Sequence, residues 1–366
     1  MNNLKINRFL ITLIFGLSIS FSSSAQCPVI SIDLLDQASV NSFPTDYPGC
    51  NFIPDGIDLK ILGNDIIDLT PLQQLTGTDG VLEIRNCPNL NSLAGLENIA
   101  KIGNDPLDGF ILRELPALTT LSPLSNLDSI TGEFTIRTCP QLANLVGLNN
   151  LNYVNGSVII RENDSLVSLQ GLNALNYIGE TLELVLNPTL TNISALSNVD
   201  AIVGGIEGGV FIEANNELES LVGLGNSNTV IGSNLDLLLN DSLAFCSVPS
   251  ICNYLANPPI GAVITINANV VGCSTQPEIE NGCLSVSLSN VVNSAHVFVL
   301  HTNPANNELV VETNLRTSSI LVFNSLGKTT IFVLTKGINS IDVSDWAQGV
   351  YYIGYEENKI LKWIKL

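Results

Sequence analysis

Four of the six basic residues between positions 26 and 300 are arginines, Arg85, Arg113, Arg137 and Arg161, set 28, 24 and 24 residues apart. A guanidinium presents a planar fork of N–H donors that fits carboxylate, sulfate or phosphate oxygens in pairs, so a file of them at one structural position would read an anionic ligand. The same file has a plainer use. Arginine stems can cover a sheet face while their heads pair with Glu83, Glu114, Glu162 and Glu183, each exposed pair contributing about 0.2–1 kcal/mol. Two residues before the arginines stand Glu83, Ile111, Thr135 and Ile159, with Phe211 further along. The candidate ligand-binding set is therefore Arg85, Arg113, Arg137, Arg161, Ile111, Thr135, Ile159 and Phe211.

Other chemistry is thin. The chain has two histidines, and no phosphate-cradling loop, triad spacing or metal-ligand cluster emerges from the sequence. No catalytic residue, metal or cofactor is expected. Glu83 and Glu114, if stacked, would meet the roughly 5–9.5 Å carboxylate separation of glycoside hydrolysis, but no aromatic platform for a sugar is evident near them.

The spacing of the arginines is the spacing of a repeat. One apolar anchor per repeat falls at Ile67, Leu90, Leu118, Leu142, Leu166, Leu190, Leu218 and Leu243, at intervals of 23, 28, 24, 24, 24, 28 and 25 residues. Eight and six residues before each anchor are paired apolar residues, from Leu59/Ile61 to Leu235/Leu237, the alternation of a strand with one face buried. The arginines, five before the anchor, then point out of the sheet. After the anchor apolar residues recur every third position, as in Leu169, Leu172, Leu175 and Ile178, which suits a chain bending several times per turn.

One such turn cannot bury its own apolar side, so turns must stack and share a core. The expected fold is mainly β: a right-handed parallel β-solenoid of about nine rungs over 57–272, the last a degenerate one at Ile264 and Ile266, followed by a small Ig-like β-sandwich. Three residues before the anchor runs a column meant to bridge neighbouring turns by hydrogen bonds: Asn64, Cys87, Cys139, Asn163, Asn187, Asn215, Asn240 and Asn269, with Leu115 interrupting it. Cys87 and Cys139, two rungs or roughly 10 Å apart, are too distant to bond and are expected to be free thiols.

With 34 acidic against 14 basic residues, the chain has a net charge of -20, which disfavours nucleic acid and anionic membrane surfaces. Lys5 and Arg8, the apolar run Phe9–Phe21 and Ser23-Ser24-Ala25 form the pattern of a secretory signal peptide, 1–25. No later stretch is long and apolar enough to span a bilayer, so no transmembrane protein is expected, and all eight cysteines follow the cleavage point, where disulfides persist. Cys27 and Cys50 would close an N-terminal cap, 26–56. Cys246, Cys252, Cys273 and Cys283 would close a C-terminal cap, 243–283. Of three possible connectivities, 246–273 with 252–283 is favoured, because Cys252 sits on a short helix that makes a bond from Cys246 awkward.

Units such as VLEIRNCPNLNSLAGLENIAKIG and SVIIRENDSLVSLQGLNALNYIG resemble the leucine-rich-type repeats of the receptor L-domain superfamily in secreted bacterial surface proteins. The polar column lies three rather than two residues before the next leucine, which favours the L-domain variant.

Charge divides the chain: residues 26–300 carry a net of -22, whereas 301–366 are neutral. After a linker, 284–302, that includes His296 and His301, residues 303–366 alternate as strands. Asn303-Pro304, the Leu326-Gly327-Lys328 turn, Asp342-Val343, Gly349-Val350-Tyr351 and the end Lys362 to Lys365 resemble the type A C-terminal sorting domain of the type IX secretion system. His301-Thr302 stands where that family usually has an aromatic residue and a proline. The resemblance implies handling by the type IX machinery, export across the outer membrane, and a cell-surface or extracellular location.

The function these readings favour is a non-enzymatic binding or adhesion protein that offers a solenoid face to an acidic glycan or a protein ligand. The alternatives are a polysaccharide lyase or glycoside hydrolase on a β-solenoid, and a structural surface-layer component. The insertions 103–109 and 204–209, which create the two 28-residue turns, would project at one edge of the arginine-bearing sheet, where repeat proteins often bind. Asp164-Ser165-Leu166 and Asp241-Ser242-Leu243 resemble bacterial O-glycosylation acceptors.

Overall fold

The structure, a computed structural model, describes residues 27–205, 208–226, 228–287, 298–300, 307–324, 329–355 and 359–365. The expected signal peptide, His296 and His301 lie outside them, as do Asn303, Pro304 and Gly327 of the expected sorting motif. Among the described residues the fold is mainly β with few helices, and its long parallel sheets are compatible with a solenoid.

The larger sheet has ten strands in chain order from Ile32–Leu34 through Leu59–Leu62, Leu82–Arg85, Gly109–Arg113, Glu133–Arg137, Val158–Arg161, Leu182–Val185, Gly209–Glu213 and Asn234–Leu238 to Ile264–Asn267. Every pairing is parallel and in register, because each strand repeats its predecessor one turn later. A second parallel sheet of eight two-residue strands, from Phe52–Ile53 to Val230–Ile231, takes one strand per turn. Alternation sends every other residue of a strand inward: Leu182, Leu184 and Ile178 are fully buried, and one continuous core runs between the sheets.

The three-residue period has a hydrogen-bond cause. Leu172 N–H donates to the Leu169 carbonyl at 3.1 Å and Leu175 N–H to that of Leu172 at 3.0 Å. Serial i to i−3 turns thus bring every third side chain back to the core.

At the end of the main-sheet strands from Leu82–Arg85 onward the chain turns through a residue in the left-handed region, with φ between 52° and 57° at Asn86, Glu114, Thr138, Glu162, Leu186, Ala214, Leu239 and Ala268. The polar column follows at once. Backbone N–H groups of Cys139, Asn163, Asn187, Asn215 and Asn240 donate to the side-chain oxygen of the next asparagine, at 3.0–3.3 Å, ending on Asn269. Asn64 departs from this expectation. It is exposed, and its carbonyl accepts from Asn89 Nδ2 at 2.8 Å. The first turn lacks the left-handed residue, since Gly63 is not in that conformation, so its corner is one residue shorter. Ile66 N–H bonds Gly63, and Ile66 is buried whereas Ile67, the expected anchor, is 59% exposed.

The cap segments belong partly to the sheets. Ile32–Leu34 and Phe52–Ile53 each form the first strand of a sheet, on either side of helix α1 (Gln37–Asp46), which Asp36 and Ser39 close with reciprocal capping bonds. At the other end are α2 (Pro249–Ala256) and α3 (Gln276–Ser287), which runs into the expected linker. Disulfides join Cys27–Cys50, Cys246–Cys273 and Cys252–Cys283, with Cα separations of 4.8, 5.6 and 5.5 Å. Cys87 and Cys139 are free and buried.

The C-terminal strands, Phe298–Leu300, Glu308–Asn324, Thr329–Asp342, Gly349–Tyr355 and Lys359–Lys365, pair antiparallel in one five-stranded sheet. Its core holds Leu309, Val311, Ile320, Val322, Tyr351, Ile353 and Trp363. Of the sorting-motif residues described here, Asp342 and Gly349 are at strand ends, Tyr351 donates its hydroxyl to the Ala347 carbonyl at 2.8 Å, and Lys365 is buried rather than solvated. Lys362 lies in the last strand.

Candidate functional site

The register places Arg85, Arg113, Arg137 and Arg161 opposite one another on four successive strands, with Leu62 before them and Val185 after. Their outward-facing neighbours form a parallel file, Glu83, Ile111, Thr135, Ile159, Glu183, Phe211 and Asp236. All eight residues of the candidate set therefore lie on one sheet face. Phe211 stands apart from the hollow between the arginines, a depression of about 220 Å³ lined by Glu83, Ile111, Thr135, Ile159, Glu133 and Glu183 together with Arg113, Arg137 and Arg161.

The arginines are not equivalent. Arg137 makes a two-pronged bond to Glu162, Nη2 to Oε1 at 3.0 Å and Nε to Oε2 at 3.2 Å, and that carboxylate also accepts from Thr138. The Arg137 hydrogen bond, with help from Thr138 and Arg161, holds the Glu162 carboxyl below its ordinary range. Arg161 donates to Glu183 at 2.7 Å. Arg85 Nε lies 3.1 Å from Glu83 without hydrogen-bond alignment, so this contact is an ion pair only. Arg113 is the loosest: its nearest carboxylate oxygens are 4.0 Å away on Glu83 and 3.7 Å away on Glu114, both beyond hydrogen-bond reach. Its Nε is shielded from solvent and unpartnered.

The glutamates thus neutralise most of the file, as the plainer use requires; Nε is unpartnered at Arg85 and Arg161 as well, and Arg113 differs in having no carboxylate oxygen closer than 3.7 Å. Beyond Arg161 the face turns acidic. Burial, with Asp236 and Glu183 nearby, pushes the Glu213 carboxyl up, and Asp236 Oδ1 is buried without a partner. Glu133, which accepts a short bond from Thr135, belongs to the hollow but escapes the repeat logic because it precedes the strand's alternating core. The 103–109 loop touches this edge: the Asp108 carbonyl accepts the Glu133 N–H at 3.1 Å, while Leu107 projects 91% exposed. Ile206 and Glu207 of the second insertion lie outside the described residues. Ser165 and Ser242 are half-buried. Among the described residues there is no group of three or more acidic, histidine or cysteine side chains fit to hold a metal ion, and no helix is long and apolar enough to cross a membrane.

Residues 300–366 match the family model of the secretion system C-terminal sorting domain. Such a tail directs the chain across the outer membrane to the cell surface or extracellular space, in the hands of the type IX secretion machinery. No curated protein matches the chain.

Proposed function

We propose that this exported chain is a non-enzymatic ligand-capture or adhesion protein, and that its ligand places an anionic group on Arg113. The single observation that carries the reading is the mismatch at that residue. Its three neighbours in the file have carboxylates at or near hydrogen-bond distance, whereas Arg113 has none closer than 3.7 Å and borders a hollow floored by Ile111, Thr135 and Ile159. An acidic glycan or an acidic protein segment supplies the missing oxygens, and the isoleucines supply apolar contact. In this reading the repeats are of the receptor L-domain kind, in about nine rungs, and the tail is Ig-like.

A lyase or hydrolase would set two carboxylates across the scissile bond, whereas Glu83 is held by Arg85 at 3.1 Å and stands opposite Ile111, and Glu114 lies at the left-handed corner outside the outward file. The test is binding of the secreted chain to an array of sulfated and carboxylated glycans. Arg113→Ala is expected to weaken capture at least about tenfold, the loss of one charge-assisted bond, with Arg85→Ala nearly silent. Equal binding by the native chain and Arg113→Ala would remove the arginine file from consideration.

A further inference from the structure

The second sheet carries its own outward file, in register: Lys101, Ser129, Tyr153, Tyr177, Ala201 and Val230. Tyr153 and Tyr177 stand face to face, ring centroids 4.9 Å apart and planes within 9°. As a cross-strand aromatic pair this stabilises the sheet. What it does not explain is what lies beyond the pair. On the far side of Tyr153 the next residue is Ser129, too short to cover a ring, and Lys101 follows one strand further. The outer face of Tyr153 therefore fronts a slot about two strand spacings, roughly 9.6 Å, wide, floored by Ser129 and walled opposite by Lys101. Tyr153 is 37% exposed.

The rim of the slot is polar and already oriented. Lys101 Nζ pairs with Asp79 at 3.1 Å, Ser129 Oγ donates to Asp128 at 2.6 Å, and the Tyr153 hydroxyl donates to Asn155 at 2.9 Å. An aromatic face is negative and attracts the slightly positive C–H bonds of an apolar surface. The Asp128 carboxylate and the Lys101 ammonium border the same space and would accept from and donate to hydroxyls, while Asp79 lies one turn beyond Lys101. One apolar face edged by hydroxyls describes a pyranose ring, and the gap accommodates one ring stacked on the tyrosine with its hydroxyls toward Lys101 and Asp128. The ammonium is already paired with Asp79 and Asp128 is acidic, which disfavours an acidic sugar.

We propose that the slot between Tyr153 and Lys101 is a binding site for neutral saccharides, separate from the arginine-bearing sheet. The probes are neutral hexose oligomers of both anomeric configurations, laminarihexaose, cellohexaose and maltohexaose, titrated into the secreted chain by calorimetry, with saturation-transfer NMR to report sugar protons that face an aromatic ring. At least one oligomer is expected to bind. Tyr153→Ala should weaken it at least about tenfold, in keeping with loss of one stacked ring. Tyr153→Phe should stay within about threefold, because the hydroxyl is spent on Asn155. The decisive variant is Ser129→Tyr, which extends the stack by one ring, fills the slot and is expected to abolish binding while leaving the melting temperature unchanged or higher. Arg113→Ala should leave binding intact, so that failure here and failure of the anionic site are told apart. The proposal is overturned if no oligomer binds at 10-millimolar-scale concentration, about the weakest useful affinity, or if Ser129→Tyr binds as well as the native chain.

Discussion

The side-chain amide of Asn187 donates to the Ile160 carbonyl, one turn earlier, at 2.9 Å, while its oxygen accepts the backbone N–H of Asn163 at 3.3 Å and the Asn163 side-chain amide at 3.1 Å. Asn187 is fully buried, so each of these groups would otherwise be orphaned away from water. The column joins turns where the strands end and pairing stops.

Asn187→Ala should therefore cost far more than an exposed asparagine. Each buried polar group left unsatisfied costs about 1–3 kcal/mol, and several lose a partner at once. The expected loss is about 3 kcal/mol, read by urea unfolding of the secreted chain. Asn64→Ala, at the exposed position of the first turn, should change stability by less than about 0.5 kcal/mol. Equal effects would contradict the ladder.

Arg137 and Glu162 should couple measurably and Arg113 and Glu114 should not. The first pair is two-pronged at 3.0 and 3.2 Å, the second lies at 3.7 Å. Both are partly solvated, which limits the coupling to about 0.2–1 kcal/mol in a double-mutant cycle. The folded-state pKa of Glu162 is lowered. Its contribution is thus present above the unfolded value and lost as pH falls through the folded one. Coupling measured at pH 7 and again near pH 3, roughly below the ordinary carboxylate range, should shrink.

Glu213 has the opposite sign. Burial and the neighbouring Asp236 and Glu183 raise its pKa, so its ionised form is worse off folded than unfolded. At neutral pH it destabilises the fold, and the penalty is relieved as pH falls through the raised folded value. Glu213→Gln should raise the melting temperature at pH 7, with a smaller gain at pH 4, followed by circular dichroism. A drop at pH 7 would mean the carboxylate has a favourable partner.

The arginine file, the register and the strand alternation were legible in the sequence because identical side-chain demands recur every 24 or 28 residues. The C-terminal disulfide partners followed from the short helix that carries Cys252 and keeps it from Cys246. The left-handed corner was not legible. It is filled by asparagine, glutamate, threonine, leucine and alanine, none of which announces φ > 0 as glycine does. It occurs even at Asn86 and Glu114, beside Cys87 and Leu115, where no asparagine bonds the backbone, so residue type does not mark it, and the one-residue shortening at Gly63 and the misplacement of Asn64 and Ile67 could not be seen. The Tyr153–Tyr177 stack was hidden for another reason. Its signal, Asn-Tyr before a buried aliphatic in two successive repeats, sits in two-residue strands too short to show alternation.

Gly171 tests the spacing of the turns. Its φ is 120°, and a Cβ there would lie 1.9 Å from the Leu145 carbonyl oxygen. Both strain and overlap oppose any side chain. Gly171→Ala should destabilise by at least about 3 kcal/mol, measured by urea unfolding. Gly261→Ala, whose φ of 85° is also left-handed but with open space around it, separates the two causes and should cost only about 1 kcal/mol.

Cys87 and Cys139 test whether the core is closed along its length. Both thiols are buried, and burial pushes the Cys139 thiol up to about 12 and raises that of Cys87. The thiolate is the nucleophile, so near pH 8 there is almost none at Cys139 to react, and neither sulfur can be reached without opening a turn. Iodoacetamide should label no cysteine of the folded secreted chain and two per chain after unfolding without reductant, the other six being held in disulfides. Reductant alone should expose the six cap cysteines before these two, because the caps end the stack while Cys87 and Cys139 are buried within it. Labelling of Cys139 in the folded, oxidised chain would mean that the turns separate in the middle, and a face built from their register could not then be a fixed binding surface.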